Sequence, residues 1–439
     1  MSAEKEALRT AGVVGAGGAG FPAWAKMAEG IDTVIVNAVE CEPLLRKDFR
    51  LVELRMADIA LGAKLFSDSI EAKGALLCLK EENAKLLGLA DGEKILDGVF
   101  VKAVPDFYPA GDEIILIHEA LGRIVPPGKL TSSVGAVVIN SETSLNIAMA
   151  LCHGLPVTEK WLTIGGAVSK PCVVRAPIGT KALDLFALLG EKIKPNHVLI
   201  DGGPAMGAIV DPQTAIVKKT TSGFLMLPED SPSIALKLAD PNRLLRRASS
   251  ACCQCSFCSD QCPRKLLGYP VEPSKAIRSA FTLGESNPGA LMGAAVCSEC
   301  GLCSLAACCQ GVMPSAVMGT IKGALAKNGA RPGLELLEAP PFRDFRRIPS
   351  SRFARLAGAA PYKAPTPYQG PLQAKEVRLL LKQHTGSPSV PAVNSGDSVK
   401  AGQLLATPGD GISTALHSPL NGIAKVTGDS VWVTACPAM

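Results

Sequence analysis

Apolar positions in the first part of the chain come in short unbroken runs separated by longer amphipathic stretches. Runs at residues 33–36, 75–79 and 134–139 read as buried strands, and residues 49–66 carry a helix-like pattern. Such alternation argues for an α/β layer domain over residues 1–155. Between 156 and 245, strand-like runs at 161–164, 172–175 and 197–200 surround one helical pattern at 182–189, which predicts a small α+β module. Residues 246–330 are punctuated by cysteine instead. Segment 331–375 breaks the pattern, because residues 331–371 hold eight prolines and seven Arg or Lys against three acids. That composition resists helix and sheet alike and reads as a linker or wrapping arm. The last block, 376–439, contains an internal echo, Gly396-Asp397-Ser398-Val399 and Gly428-Asp429-Ser430-Val431, each expected to end a short β-rich run. Two similar hairpin halves predict a small β sandwich with pseudo-twofold symmetry.

The cysteines change the picture from fold to chemistry. One run is Cys252-x2-Cys255-x2-Cys258-x3-Cys262-Pro263 and the other Cys297-x2-Cys300-x2-Cys303-x4-Cys308. Each cluster iron needs a thiolate, and spacing of three in a tight turn points three sulfurs into one cavity. The fourth cysteine of such a run ligates the other cluster in two-cluster ferredoxins. Cys252, Cys255, Cys258 and Cys308 are therefore expected on one 4Fe-4S centre, and Cys297, Cys300, Cys303 and Cys262 on a second. Zinc is the rival, but structural zinc closes with four ligands, commonly as two separated pairs. The seven remaining of fifteen cysteines, Cys41, Cys78, Cys152, Cys172, Cys253, Cys309 and Cys436, read mostly as small buried hydrophobes, with Cys253 and Cys309 as spare thiols beside ligand positions.

Composition bounds the rest. An apolar content of 47% over 439 residues supplies cores for three or four domains. No stretch reaches the roughly 18 uncharged apolar residues of a spanning helix, so a soluble, cytoplasmic protein is expected. Lys5 and Arg9 before a weakly apolar run faintly mimic a signal peptide, but Glu4, Glu6 and the five glycines from Gly12 to Gly20 argue against export. Aromatic content of 4% and the lack of a basic-aromatic patch argue against nucleic acid. The net charge of +5 lies mostly in the 331–371 arm. His118, His153, His197, His384 and His417 are scattered, and neither a nucleophile nor an acid–base dyad is expected.

A second chemical signal is Gly15-Ala16-Gly17-Gly18-Ala19-Gly20-Phe21-Pro22, which satisfies G-x-G-x-x-G with Glu40 twenty residues beyond Gly20. Its context does not suit a dinucleotide fingerprint, since only residues 11–14 could form the preceding strand and residues 4–9 read as a helical turn. The physics that remains is a backbone able to approach a phosphate and Pro22 suited to a first helical turn.

With this loop stand Asn37-Ala38-Val39-Glu40-Cys41-Glu42-Pro43, Tyr108-Pro109-Ala110-Gly111-Asp112-Glu113 and Asn140-Ser141-Glu142-Thr143. Together they resemble the FMN-binding fold of the NADH-oxidising flavoprotein of respiratory complex I. They are closer still to the RnfC component of Rnf-type ferredoxin:NAD oxidoreductases and to the cobalamin reductases of propanediol-utilisation microcompartments. In RnfC the lipoyl-like sandwich precedes the flavin domain, whereas the sandwich-like segment here, through His417-Ser418-Pro419, is C-terminal, as in the cobalamin reductases. Two departures stand out: Val39 replaces an Asp of the complex I relatives, and the second run ends in Cys308-Cys309 rather than Cys-Pro.

The resemblance implies a Rossmann-like FMN domain (1–155), a β-grasp soluble-ligand-binding domain (156–245), a two-cluster ferredoxin-like helical domain (246–330), a linker (331–375) and a lipoyl- or biotinyl-like sandwich (376–439). It implies that Gly17, Gly18 and Gly20 cradle FMN and that Lys26 offers its ammonium to flavin or phosphate. Asn37, Glu40, Gly111, Asp112, Glu113 and Asn140 would hydrogen-bond the flavin, and Phe21 and Glu42 would face the nicotinamide nucleotide. Electrons would run from NADH through FMN and both clusters to a corrinoid, with an adenosyltransferase, a diol dehydratase system and shell proteins as partners. Ferredoxin or flavodoxin as acceptor, and a non-enzymatic iron-sulfur conduit, remain alternatives. Carrier domains modify a lysine at the hairpin tip, and this sequence has none between Lys400 and Lys425, so the sandwich is expected to be a docking or structural module separable from NADH oxidation.

Overall fold

The computed structural model describes residues 1–281 and 288–436. The first domain is built on a five-stranded sheet of β1 (Thr33–Asn37), β2 (Gly74–Lys80), β3 (Lys94–Leu96), β4 (Val99–Val104) and, after the short β5 (Phe107–Tyr108), β6 (Ala136–Asn140). The order is β3-β4-β2-β1-β6, parallel except at the β3 edge. Period-two alternation sends Val34, Val36, Val137 and Ile139 to one face and Ile35 and Val138 to the other, so both faces are buried in separate cores. On the first face pack helices α1 (Ala3–Thr10), α2 (Lys47–Ser69) and, after α3 (Glu81–Leu86) and α4 (Glu113–Leu121), α5 (Ser141–His153). The α2–α5 approach is close because Gly62 has no Cβ, which would otherwise stand 1.8 Å from the Ser144 carbonyl oxygen. On the second face α4 and the cluster-bearing segment share a core through Ile115, Ile117, Leu267, Tyr269 and Met318.

The second module is a mixed six-stranded sheet whose central strands, Glu159–Gly166, Cys172–Pro177, His197–Asp201 and Gly223–Pro228, cover the helix Ala182–Leu188. Helices Pro241–Ala251, Pro273–Phe281 and Pro314–Lys327 frame the cysteines.

The arm corrects the expectation drawn from its composition. Ile348–Pro349 pairs with β5, Ser350–Leu356 is a helix, and Tyr368–Pro371 joins the second sheet beside Cys172–Pro177. Tertiary partners supply what local propensity lacks: Phe353 stacks on Tyr108 at 3.7 Å between centroids, and Arg347 pairs with Glu119 at 2.8 Å.

The C-terminal block forms two small sheets, as expected; the first Gly-Asp-Ser-Val copy ends with the two-residue strand Ser398–Val399, whereas the second opens the strand Ser430–Ala435 rather than ending one. Nor is the block a separable module. Val377, Leu379, Leu405, Val431 and Val433 belong to the same core as Leu8, Val13 and Val36 of the first domain. Trp24 Nε1 donates to the Ser413 carbonyl at 2.9 Å and the Thr385 amide to the Gly20 carbonyl at 3.0 Å. Among the described residues, no helix is long and apolar enough to cross a membrane.

Candidate functional site

Strand order places the site before any side chain does. Between β1 and β6 the winding of the sheet reverses, and ligands of open α/β sheets bind outside the carboxyl ends at such a point. Asn37 and Asn140 end these two strands as register partners. Asn140 also caps α5, its Oδ1 accepting from the Glu142 amide at 3.0 Å. Above it lies the glycine loop, which follows a helix and a single β-bridge (Val14 to Pro22) rather than a strand.

The three loop glycines have different surroundings. A Cβ on Gly17 would meet the Asn140 side chain at 3.3 Å, so the missing side chain lets the backbone lie on that strand end. Gly18 sits at φ +123° with nothing within 4 Å of an added Cβ, an open position beside the crevice. Gly20, at φ +66°, faces Thr220 and the 383–384 backbone, so its surroundings belong to the second and C-terminal modules. Phe21 is partly buried and its carbonyl accepts from the Gly15 amide at 2.9 Å. Lys26 donates to the Val138 carbonyl at 2.7 Å and lies 3.6 Å from Glu113.

Beneath the loop runs a buried polar network that sequence reasoning largely missed. Asp48 accepts from Lys47 at 2.8 Å, Ser141 Oγ at 2.6 Å and Asn140 Nδ2 at 3.0 Å. Burial works to raise its pKa, but Lys47 and these hydrogen bonds hold it below the ordinary value. Glu142, 1% exposed, accepts from Lys47 at 3.3 Å, from the Trp161 amide at 2.8 Å and from Lys160. Lys160 also donates to the Ala16 carbonyl at 3.1 Å, which ties the glycine loop to the second module. Burial outweighs Glu142 and pulls the Lys160 ammonium down to about 8. Glu40 is pushed up to about 7 by burial first and Asp48 second, and its Oε2 is buried without a partner. The legible signal was a lysine inside the apolar run at 159–166.

The 108–113 turn closes the other side. Asn37 Nδ2 donates to the Gly111 carbonyl at 3.0 Å, and a Cβ on Gly111 would stand 2.3 Å from the Val39 carbonyl oxygen. Val39 itself is core. Asp112 caps α4 and pairs with Arg264 at 2.8 Å, so it faces the cluster-bearing segment. Glu42 is occupied elsewhere, accepting from the Ala205 amide at 2.9 Å and the Met206 amide at 3.0 Å with the Tyr108 hydroxyl oxygen 3.2 Å away, and burial raises its pKa. The same Tyr108 hydroxyl donates to the Cys300 carbonyl at 2.7 Å. Beyond Glu40 and Glu42, a cleft of about 620 Å³ opens between the first domain, the second module and the arm, lined by Arg46, Lys80, Gly166 and Tyr362 among others.

The cysteines gather in two sets. Cys252, Cys255, Cys258 and Cys308 line one cavity together with Cys253 and Cys309; Cys262, Cys297, Cys300 and Cys303 line another. Left-handed backbone at Gln254, Ser256, Glu299 and Gly301 curls each run inward. The four expected ligands of each centre thus lie in one cavity, three from one run and one from the other. An all-thiolate donor set of four around one space suits iron of a 4Fe-4S centre. For the flavin, the open Gly18, the orphaned Glu40 oxygen and the paired strand-end asparagines form a cradle of backbone and polar groups at the switch point.

Comparison with known proteins bears on these arrangements. Residues 8–149 match the Nuo51 FMN-binding domain, residues 251–313 a 4Fe-4S dicluster domain and residues 366–434 the RnfC barrel sandwich hybrid domain. Cobalamin reductase PduS of Salmonella typhimurium is 35% identical over 428 residues, 97% of this chain and 94% of that protein. The protein of the same name from Citrobacter freundii is 34% identical over 98% of this chain and 96% of its own length. A component of the ion-translocating oxidoreductase complex of Yersinia enterocolitica is 30% identical over 267 residues, 60% of this chain and 37% of that protein. With an FMN-binding domain, a 4Fe-4S dicluster domain and near full-length identity of this order, the chain belongs to the PduS family of cobalamin reductases, flavo-iron-sulfur oxidoreductases.

Proposed function

We propose that this protein oxidises NADH and passes the electrons to a corrinoid, reducing cob(III)alamin or cob(II)alamin toward cob(I)alamin. The observation that carries the reading is that the Cys262, Cys297, Cys300 and Cys303 set is tied to the flavin domain by Asp112–Arg264 and by Tyr108 on the Cys300 carbonyl, while the Cys252 set follows it across the short 258–262 segment. FMN, when bound, accepts a hydride's electron pair and releases electrons singly, which is what clusters that accept one each require.

The chain's own residues bind and orient. Gly17 and Gly18 bring backbone amides to the cofactor, Lys26 supplies a cation, and Asn37, Glu40, Gly111, Glu113 and Asn140 line the crevice. Asp112 and Gly20 hold neighbouring segments in place, as their partners indicate. Phe21 faces the nicotinamide. Glu42, whose oxygens already accept from the 205–206 turn, fixes the second module beside the cleft through which the nucleotide enters. We assign that module to the β-grasp class and place an adenosyltransferase or a diol dehydratase system downstream, in the cytoplasm within a microcompartment shell.

Anaerobic protein given NADH and aquacobalamin should reduce the corrinoid at a rate that follows its bound FMN. Reduction of ferredoxin or flavodoxin with no corrinoid turnover would establish the Rnf-like reading; bound iron with no flavin and no NADH oxidation would establish a conduit.

A further inference from the structure

Two cysteines that no cluster requires lie side by side at the first cluster site. Cys253 Sγ and Cys309 Sγ are 3.7 Å apart and both are exposed. Each immediately follows a ligand, Cys252 in one run and Cys308 in the other, so the pair spans the two ends of one donor set across 56 residues of chain. Cys255 Sγ also lies 3.9 Å from Cys309 and all three residues line the cluster cavity, but Cys255 holds the middle place of the three-residue ligand spacing, between Cys252 and Cys258, which assigns its sulfur to iron. The other free thiols differ. Burial pushes Cys41 and Cys78 up to about 12 and Cys172 up to about 11, and Cys152 and Cys436 are exposed outside this group of three sulfurs.

We propose that Cys253 and Cys309 are a modification site, a reversible dithiol–disulfide pair at the mouth of the first cluster, oxidised by a peroxide. Sulfurs 3.7 Å apart have less than about 2 Å to travel to the roughly 2.05 Å of a disulfide bond. In the step, the peroxide O–O bond breaks and the S–S bond forms; two thiols give up two electrons and two protons, and two waters leave. A small dithiol reductant returns both electrons and both protons. The closed pair holds the residues after Cys252 and Cys308 together whether or not iron is present, and in closing the reduced pair consumes a peroxide that would otherwise meet Cys255. The inference rests on the assignment of Cys255 as a ligand.

The test uses anaerobically purified holoprotein, exposed to stoichiometric hydrogen peroxide, then alkylated and digested for mass spectrometry, with iron and free thiols counted in parallel. Expected are a linked peptide joining residues 253 and 309, loss of two of the four exposed non-ligand thiols (Cys152, Cys253, Cys309, Cys436), unchanged iron, and full reversal by dithiothreitol. Cys253→Ser/Cys309→Ser, at equal starting iron, should lose iron several-fold faster under the same exposure. The single Cys253→Ser variant keeps the test open if the double variant assembles poorly: it too should give no link and faster loss. An unchanged thiol count, a link through Cys255, or equal iron loss in wild type and variant would overturn the proposal. Absence of iron before any peroxide would refute the ligand assignment instead.

Discussion

Replacing Lys160 by Met should cost the protein its tie between glycine loop and second module. Lys160 and Glu142 are each 1% exposed, and Lys160 also donates to the Ala16 carbonyl. Breaking a buried pair by removing one partner costs roughly 3–5 kcal/mol because a charge is left uncompensated. Glu142 keeps Lys47 at 3.3 Å and the Trp161 amide at 2.8 Å, which argues for the lower end, about 3 kcal/mol on that range. At about 2–4 °C per kcal/mol for a unit of 150–250 residues, the first thermal transition should fall by about 6–12 °C. The assay is differential scanning calorimetry of flavin-free protein, with Trp161 fluorescence reporting the local event and FMN retention measured separately. Lys160→Met/Glu142→Leu should recover part of the loss, since an apolar pair leaves no stranded charge. A shift under about 2 °C for Lys160→Met, below the scale of 1 kcal/mol, or a double variant worse than the sum of the singles, would refute the reasoning.

Gly18→Val, at φ +123°, strains the loop and fills the open side of the crevice, so FMN content should fall sharply while iron is retained; stoichiometric FMN would move the site elsewhere. Cys262→Ser should perturb the cluster of Cys297, Cys300 and Cys303, and spectroscopic loss confined to the Cys252 set would show that the ligands do not cross. Lys219 is buried on the Gly12 and Ala415 carbonyls (2.7 and 3.0 Å), with His417 and His384 nearby, and burial lowers it from 10.5 to about 7. A folded value below the unfolded one means that its stability contribution is present above pH 10.5 and is lost as pH falls toward 7. The melting temperature of wild type relative to Lys219→Met should therefore fall across that window, and a pH-independent difference would count against it.

Sequence showed what is set locally. Cysteine spacing needs only a few turns to converge, and motif logic alone groups Cys308 with the Cys252 run and Cys262 with the Cys297 run, the grouping of the two cavities. The ends of β1 and β6 could be read because apolar runs stop at polar Asn37 and Asn140. Lys160 with Glu142 was not legible, because nothing local joins a strand of one module to a helix of another. The amides of residues 205–206 that Glu42 accepts from were not legible either, since they lie more than 160 residues along the chain. The arm misled for the same reason: its helix and strands exist only against β5, Tyr108 and the second sheet.

The most direct test of the account is an anaerobic titration of purified protein with NADH, after flavin, iron and zinc analysis, followed by electron paramagnetic resonance and then by addition of aquacobalamin. The account predicts bound FMN, about eight irons in two 4Fe-4S clusters, signals from both clusters on NADH addition, and their loss as the corrinoid is reduced. Zinc in place of iron, a single cluster, or clusters that NADH leaves oxidised in FMN-replete protein would contradict it.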